Sequence, residues 1–305
     1  MSNTLIFWFR RDLRLTDNQA LYQALKTGCQ VQPVFIFDRD ILDKLSDKKD
    51  ARVMFIQQTL LDINRQLAPF GASIKTYYAS AAEAWEQIVE EFSPQAVYFN
   101  SDYEPLARQR DQAICAFLAE RQIPAYSYKD QVIFEKQEVS KDNGLPYTVF
   151  TPYKNKWLAK YAHQEHQQYE SELLLKQLRP SAYTIPDLAD MGFEQSAIEI
   201  PPIHYLDVIS TYAQTRDTPS LDRGTSHMGI HFRFGTVSIR AVVAEAYAAE
   251  ERTFLSELIW REFFMMVLYH FPETTHQAFV QKYDRMVWRN NEEEFQAWCE
   301  GRTGY

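Results

Sequence analysis

Residues 257 to 264 read Glu-Leu-Ile-Trp-Arg-Glu-Phe-Phe, placing an indole, a guanidinium and two carboxylates inside an otherwise apolar run. At helical periodicity Glu257, Trp260, Arg261 and Phe264 share one stripe, while Leu255, Leu258, Ile259, Phe263 and Met266 form the apolar remainder. An indole and a carboxylate on the same side of such a helix suit a cavity wall. The ring stacks on a flat ligand and the carboxylate accepts hydrogen bonds from it. The same residues also fit a packed core with a tryptophan and a satisfied Glu–Arg pair.

A second stretch, Gly224-Thr225-Ser226-His227-Met228-Gly229, lies upstream. Thr225 and Ser226 are helix-capping residue types, so the segment after them is expected to wind as a helix whose free N–H groups turn towards their hydroxyls. With His227, Gly229 and Arg233 nearby, such an end suits a diphosphate held by backbone, hydroxyl and cation together. A helix capped for structural reasons alone is the alternative. His231, His270 and His276 stand in no metal-ligand spacing, and no GxSxG nucleophile motif occurs. Cys29, Cys115 and Cys299 form no CxxC or Cys/His pattern and read as reduced thiols.

The elements that must position these residues fall into two groups. From residue 4 short β-rich runs (TLIFWF, QPVFIF, SIKTYY, AVYFN, IPAYSY) alternate with amphipathic segments, which predicts a doubly wound parallel α/β sheet over residues 1–130. The loop after the first run, RRDLRLTDN, has no glycine, so the GxGxxG dinucleotide fingerprint is absent. Its Arg10, Arg11 and Arg14 either face an anionic ligand or lie in a solvated loop where Asp17 or Asn18 caps the next helix. Residues 131–205, polar and then proline-rich, read as a connector. Over 206–305 strand signals give way to helical periodicity, with stops at Pro272 and Gly301 and a Glu292–Phe295 first turn, so this domain is expected to be all-α.

The formal charge of −9 excludes a chain whose whole surface binds a polyanion, although a local basic face is allowed. Arg223, Arg233, Arg285, Arg289 and Arg302 are its candidate members. No apolar run reaches spanning length and none follows a secretory pattern, so a soluble, cytoplasmic, monomeric protein without a metal is expected.

FWFRRDLRLTDN at 7–18, PYTVFTPYKNKW at 146–157, RDTPSLDRGTSHMGIHFRFGTVSIR at 216–240, ELIWREFF at 257–264 and WCEGRTGY at 298–305 together resemble the DNA photolyase and cryptochrome family in order and spacing. The resemblance implies an antenna-binding α/β domain joined to a helical domain that holds FAD. It further implies a deoxyribodipyrimidine photo-lyase: light-excited reduced flavin donates an electron to a pyrimidine dimer in UV-damaged DNA and receives it back. By this resemblance Tyr212, Thr225, Ser226, His227, Met228 and Gly229 contact FAD. Glu257 and Trp260 are the catalytic, lesion-facing pair, and Arg261 lies between them and the flavin, touching both cofactor and DNA.

Some positions depart from the family's pattern. His227 stands for a usual Arg and Gly229 for a usual Ser, which removes a hydroxyl and makes one charge pH-dependent. Leu106 and Ala107 replace the Asn-Glu of folate-binding members, against a folate antenna. A deazaflavin, a second flavin or no antenna stay open. The family continues past the GRTGY stretch, so the resemblance implies a truncated chain with impaired repair. The competing readings are a cryptochrome-like blue-light signalling protein without repair and a non-photochemical α/β nucleotide binder.

Overall fold

The computed structural model describes residues 4–164 and 167–304. Expectations touching the first three residues, Glu165 and His166 of the polar connector, and Tyr305 lie outside the described residues. Five strands, β1 (Thr4–Phe9), β2 (Gln30–Asp38), β3 (Lys75–Ala79), β4 (Ala96–Asn100) and β5 (Ala125–Tyr128), form one parallel sheet in the order β3-β2-β1-β4-β5. Helices α1 (Gln19–Lys26), α2 (Arg39–Leu42), α3 (Ala51–Leu67), α4 (Ala81–Phe92) and α5 (Pro105–Glu120) alternate with them, as expected for a doubly wound domain.

Central strand β1 is buried along its whole length, as its unbroken apolar run requires. Its period of two divides the core. Leu5, Phe7 and Phe9 pack with Leu21 and Leu25 of α1 and Leu60 and Ile63 of α3. Ile6 and Trp8 pack with Trp85 and Ile88 of α4 and Leu118 of α5. Caps fix where the helices begin: the Asn18 side chain accepts from Leu21 N–H, and Ser80 with Glu83 closes a capping box on α4.

The second half is helical: α6 (Phe150–His163), α7 (Leu206–Ile209), α8 (Tyr212–Thr215), α9 (Gly229–Phe234), α10 (Ile239–Ala248), α11 (Thr253–His270) and α12 (Glu292–Cys299). Its core joins Tyr153, Trp157 and Tyr161 of α6 to Val242 and Val243 of α10 and to Leu255, Leu258, Ile259 and Phe263 of α11. The segment read as a connector serves both halves. Ile133, Phe134 and α6 belong to the helical core, while Leu175, Leu178, Leu188 and Phe193 pack on the α1/α3 side of the sheet. Among the described residues no helix is long and apolar enough to cross a membrane.

The loop after β1 is neither solvated nor turned to a ligand. Arg10, Asp12 and Arg14 are buried, and their partners come from distant parts of the chain. Arg14 Nη2 donates to both oxygens of Asp130 (2.7 and 2.8 Å) and its Nη1 to Gly235 O (3.0 Å). Arg240 binds the same Asp130 (2.9 Å) and also Asp17. Arg11 pairs with Asp102 and Glu104 and donates to Arg233 O, and Arg233 itself pairs with Glu104. Arg10 engages Asp111 and Asn100 O. Burial by itself would raise the Asp130 carboxyl, but Arg14 and Arg240 outweigh it and hold it below its ordinary value.

This clasp brings backbone onto backbone. Leu13 N–H donates to Phe234 O (3.0 Å), and the turn that follows needs a left-handed residue, supplied by Gly235 at φ 65°. A Cβ at Gly235 would lie 2.7 Å from Asp12 Cα, 2.8 Å from Arg11 C and closer still to Arg11 O. Gly235→Ala is therefore expected to lower unfolding stability by about 3 kcal/mol, combining overpacking with a forced positive φ. Denaturant titration of the purified variant measures this, and a loss below about 0.5 kcal/mol would show that the two halves adjust to each other freely.

Candidate functional site

Helix α11 is expected to present Glu257, Trp260, Arg261 and Phe264 together, and the structure divides that stripe. Trp260 is half-buried and stacks on Phe150, the first residue of α6, with ring centroids 3.6 Å apart and an interplanar angle of 10°. Phe264 continues the stack at 5.3 Å and 24° and is 61% exposed. Glu257, one turn earlier, is half-buried and paired with Arg216. Both groups lie at the edge of the helical core, where the chain's own side chains partner them and solvent still reaches them.

Arg261 turns the other way. Its guanidinium donates to Gln131 O (2.7 Å) and Phe232 O (3.3 Å), against the joint between the two halves. Burial pushes it down to about 10, Arg11 adds to the shift and Glu262 opposes it. It stays charged at neutral pH, and the structure does not bring it to the Glu257–Trp260 edge.

Two short helices connect this edge to the Thr225 loop. Tyr212, on α8, meets Phe254 of α11 edge-on at 5.1 Å, and the Arg216 guanidinium lies 5.5 Å from the Tyr212 ring. The chain then folds back so that Thr215 Oγ1 donates to Gly224 O (2.8 Å). A side chain at Gly224 would meet Thr215 O at 3.0 Å, which explains the glycine.

The expected capping by Thr225 and Ser226 is not what the structure shows. Helix α9 begins at Gly229, its preceding residue is the buried Met228, and no side chain caps it. It has six residues, because Gly235 ends it at a left-handed turn. Thr225 and Ser226 sit ahead of it in an open turn, half-buried, and among the described residues their hydroxyls make no hydrogen bond. His227 adopts φ 50°, uncommon for a non-glycine residue, and its exposed ring contacts Asp222 O (2.9 Å). This is a string of hydroxyl and backbone donors open on one side, chemically suited to phosphate oxygens. A Cβ at Gly229 would meet nothing within 4 Å.

The sequence reading passed over Glu262, the second carboxylate of the same stretch. It is 3% exposed and accepts from Ile133 N–H (2.6 Å), Phe134 N–H (3.1 Å), Trp157 Nε1 (2.6 Å) and Tyr153 Oη (3.3 Å). The aromatic spacing of Phe150, Tyr153 and Trp157 was the available signal for its partners. Arg216 was likewise missed, since nothing local links it to Glu257. Of the arginines expected to form a basic face, Arg233, Arg289 and Arg302 are paired with Glu104, Glu294 and Glu300.

Comparison with known proteins follows the same division of the chain. The DNA photolyase family profile matches residues 5–171. The chain belongs to the DNA photolyase family. A second profile, the FAD binding domain of DNA photolyase, matches residues 254–305, which cover α12 and all of α11 but its first residue. Among relatives, the deoxyribodipyrimidine photo-lyase of a Synechococcus species is 28% identical over 100% of this chain and 68% of its own length. That of Alkalihalophilus pseudofirmus is 30% identical over 98% and 66%. An archaeal photolyase from Sulfolobus tokodaii, solved with two FAD molecules, superposes with a TM-score of 0.78 at 27% identity, over 99% of this chain and 68% of that one. The fold is also that of a class III photolyase from Agrobacterium tumefaciens (TM-score 0.80, 24% identity, 100% and 67% coverage). The chain thus spans about two thirds of the length of these photolyases.

The residues present in this photolyase-family chain fit part of an FAD site. The open donor turn and the two free hydroxyls suit the diphosphate, and Tyr212 and Phe254 are aromatic neighbours one helix away. Gly229→Ser, which puts a third hydroxyl into the open space beside this turn, is expected to change stability by less than about 0.5 kcal/mol. Thermal unfolding of the variant checks this, and a larger loss would mean that the turn is packed more tightly than its geometry indicates.

Proposed function

We propose that this chain carries the lesion-contacting edge and the phosphate-holding part of the flavin site of a light-driven pyrimidine-dimer lyase. When bound, reduced FAD supplies the electron that opens the dimer on excitation and takes it back, so no net redox change results. The chain's own residues bind and orient. Thr225 and Ser226, with the backbone N–H groups towards Gly229, hold the FAD diphosphate. Trp260, with the exposed Phe264 at the end of its stack, offers an aromatic surface to a flipped base, and Glu257 accepts hydrogen bonds from its edge. Arg216 pairs with Glu257 and orients it.

The observation that carries this reading is the half-buried pair of Glu257 and Trp260 together with a turn whose Thr225 and Ser226 hydroxyls make no hydrogen bond among the described residues, in a chain of the DNA photolyase family. A core tryptophan would be enclosed, whereas this one sits in a ring stack that ends at the exposed Phe264.

Two titrations test it: FAD against the purified chain, followed by absorbance, and a thymine-dimer oligonucleotide with an undamaged control. Trp260→Ala is expected to weaken dimer binding by about 1–3 kcal/mol, the worth of one base–aromatic stack, and to leave FAD affinity unchanged. Parallel loss of FAD would assign Trp260 to packing of the cofactor domain. Flavin binding without preference for the dimer would favour a cryptochrome-like signalling role.

A further inference from the structure

The stripe bearing Glu257 and Trp260 is not what holds α11 in place. Glu262, on the same helix, is the common acceptor for four donors from two other segments: Ile133 and Phe134 N–H on the connector, and the Trp157 indole and Tyr153 phenol on α6. Phe150, Tyr153 and Trp157 follow one another along α6 at i, i+3 and i+7, so they lie in one line on that helix. One end of the line is the ring on which Trp260 stacks, and the other is the pair of donors bound by Glu262. A shift of α11 along α6 that moves Trp260 off Phe150 must therefore also break bonds to Glu262.

We infer that Glu262 is a positioning residue for the Glu257–Trp260 edge, fixing α11 against α6 and the connector so that the Trp260–Phe150 stack has one geometry. It acts through α11 and touches no ligand itself. The inference rests on the function proposed above only for what the edge binds.

A carboxylate is the side chain this role requires. It offers about four lone-pair sites to the four donors, whereas glutamine has one acceptor oxygen and turns an NH2 group towards the others. The groups that face it are Arg261 on its own helix, Tyr153 and Trp157 from α6, the two N–H groups of the connector, and the Tyr103 phenol, which feels its charge. Among the described residues that face it, Arg261 is the cation that opposes its burial. Burial therefore dominates, and the carboxyl is pushed up to about 7. The sign follows from a raised acid: its stabilising contribution is full below the ordinary value of 4.5 and is lost as pH rises through about 7. Ionisation thus lowers stability while it completes the four-donor acceptor, and positioning is gained against stability.

The test uses the 305-residue chain with 15N-labelled tryptophan, its indole signals assigned through Trp157→Phe and Trp260→Phe. In the wild type the Trp157 Nε1–H signal is expected to titrate with a midpoint near 7, and the Trp260 signal, which senses the Phe150 ring, to move with it. In Glu262→Gln both signals should be independent of pH, the Trp260 signal should be displaced, and thymine-dimer affinity should fall about tenfold, as a misplaced binding group requires. A control, Leu258→Ala, lowers stability by removing core volume without touching the carboxylate, and it should leave the Trp260 signal in place. An unmoved Trp260 signal in Glu262→Gln overturns the inference, and a wild-type Trp157 signal flat from pH 5 to 9 together with a displaced Trp260 signal in the variant supports it with the carboxylate ionised throughout. Should Glu262→Gln fail to fold, the wild-type titration and Tyr153→Phe, which removes one donor, still decide it. If the wild type does not bind the dimer at all, the proposed function fails while the indole titration still reports on Glu262.

Discussion

The architecture depends on one short buried segment, residues 130–134, immediately after the last strand of the sheet. Asp130 takes Arg14 from the first loop and Arg240 from α10. Gln131 O takes Arg261 of α11, and the N–H groups of Ile133 and Phe134 go to Glu262 on the next position of that helix. Five residues thus fix the sheet, the helical core and the site-bearing helix to one another through charged hydrogen bonds, which are more directional than apolar contact. The two carboxylates at this joint lie in opposite regimes. Asp130 has two guanidinium partners that offset its burial, whereas Glu262 is held by neutral donors and Arg261 opposes its burial only in part, so burial prevails. The first holds the halves together over the whole physiological pH range, and the second changes charge within it.

How much of this was legible in the sequence follows from the range of each interaction. The sheet was readable because its signals are local: the apolar run Thr4–Phe9, the alternation that sends Phe7 and Trp8 to opposite layers, and the Asn18 cap all lie within a few residues of what they determine. The arginines of the first loop were not, because their partners stand 90 to 222 residues away and arise only when the halves meet. Residue type misled at Thr225 and Ser226. Both are good capping residues, yet the helix starts three residues later, which leaves their hydroxyls free for another use. Helical periodicity placed Arg261 with Trp260 correctly in angle, but a long side chain can reach a carbonyl to either side of its stripe.

The edge formed by Glu257 and Trp260 combines features that favour binding and features that favour packing. Trp260 lies on Phe150 at van der Waals stacking distance, so its ring orientation is set before any ligand arrives, and little side-chain entropy remains to be lost on binding. Glu257 is held by Arg216, which is itself tethered over Tyr212. Such preorganisation is what a stacking platform needs. It also explains why the stretch reads as core: the same contacts that orient the groups satisfy most of their packing.

The acidic charge of the chain takes on a different meaning once its arginines are located. Arg10, Arg11, Arg14, Arg233, Arg240 and Arg261 are all spent at or beside the domain joint, each on a carboxylate or a carbonyl. The formal charge of −9 thus includes six arginines committed to internal partners rather than offered to a polyanion. On the function proposed above, stacking on Trp260 and hydrogen bonds to Glu257 act at short range and do not depend on a long-range field. Counterion release scales with the number of phosphate contacts, so on that proposal the salt slope of binding counts the basic side chains that join the stacking edge, while base selectivity comes from the edge itself.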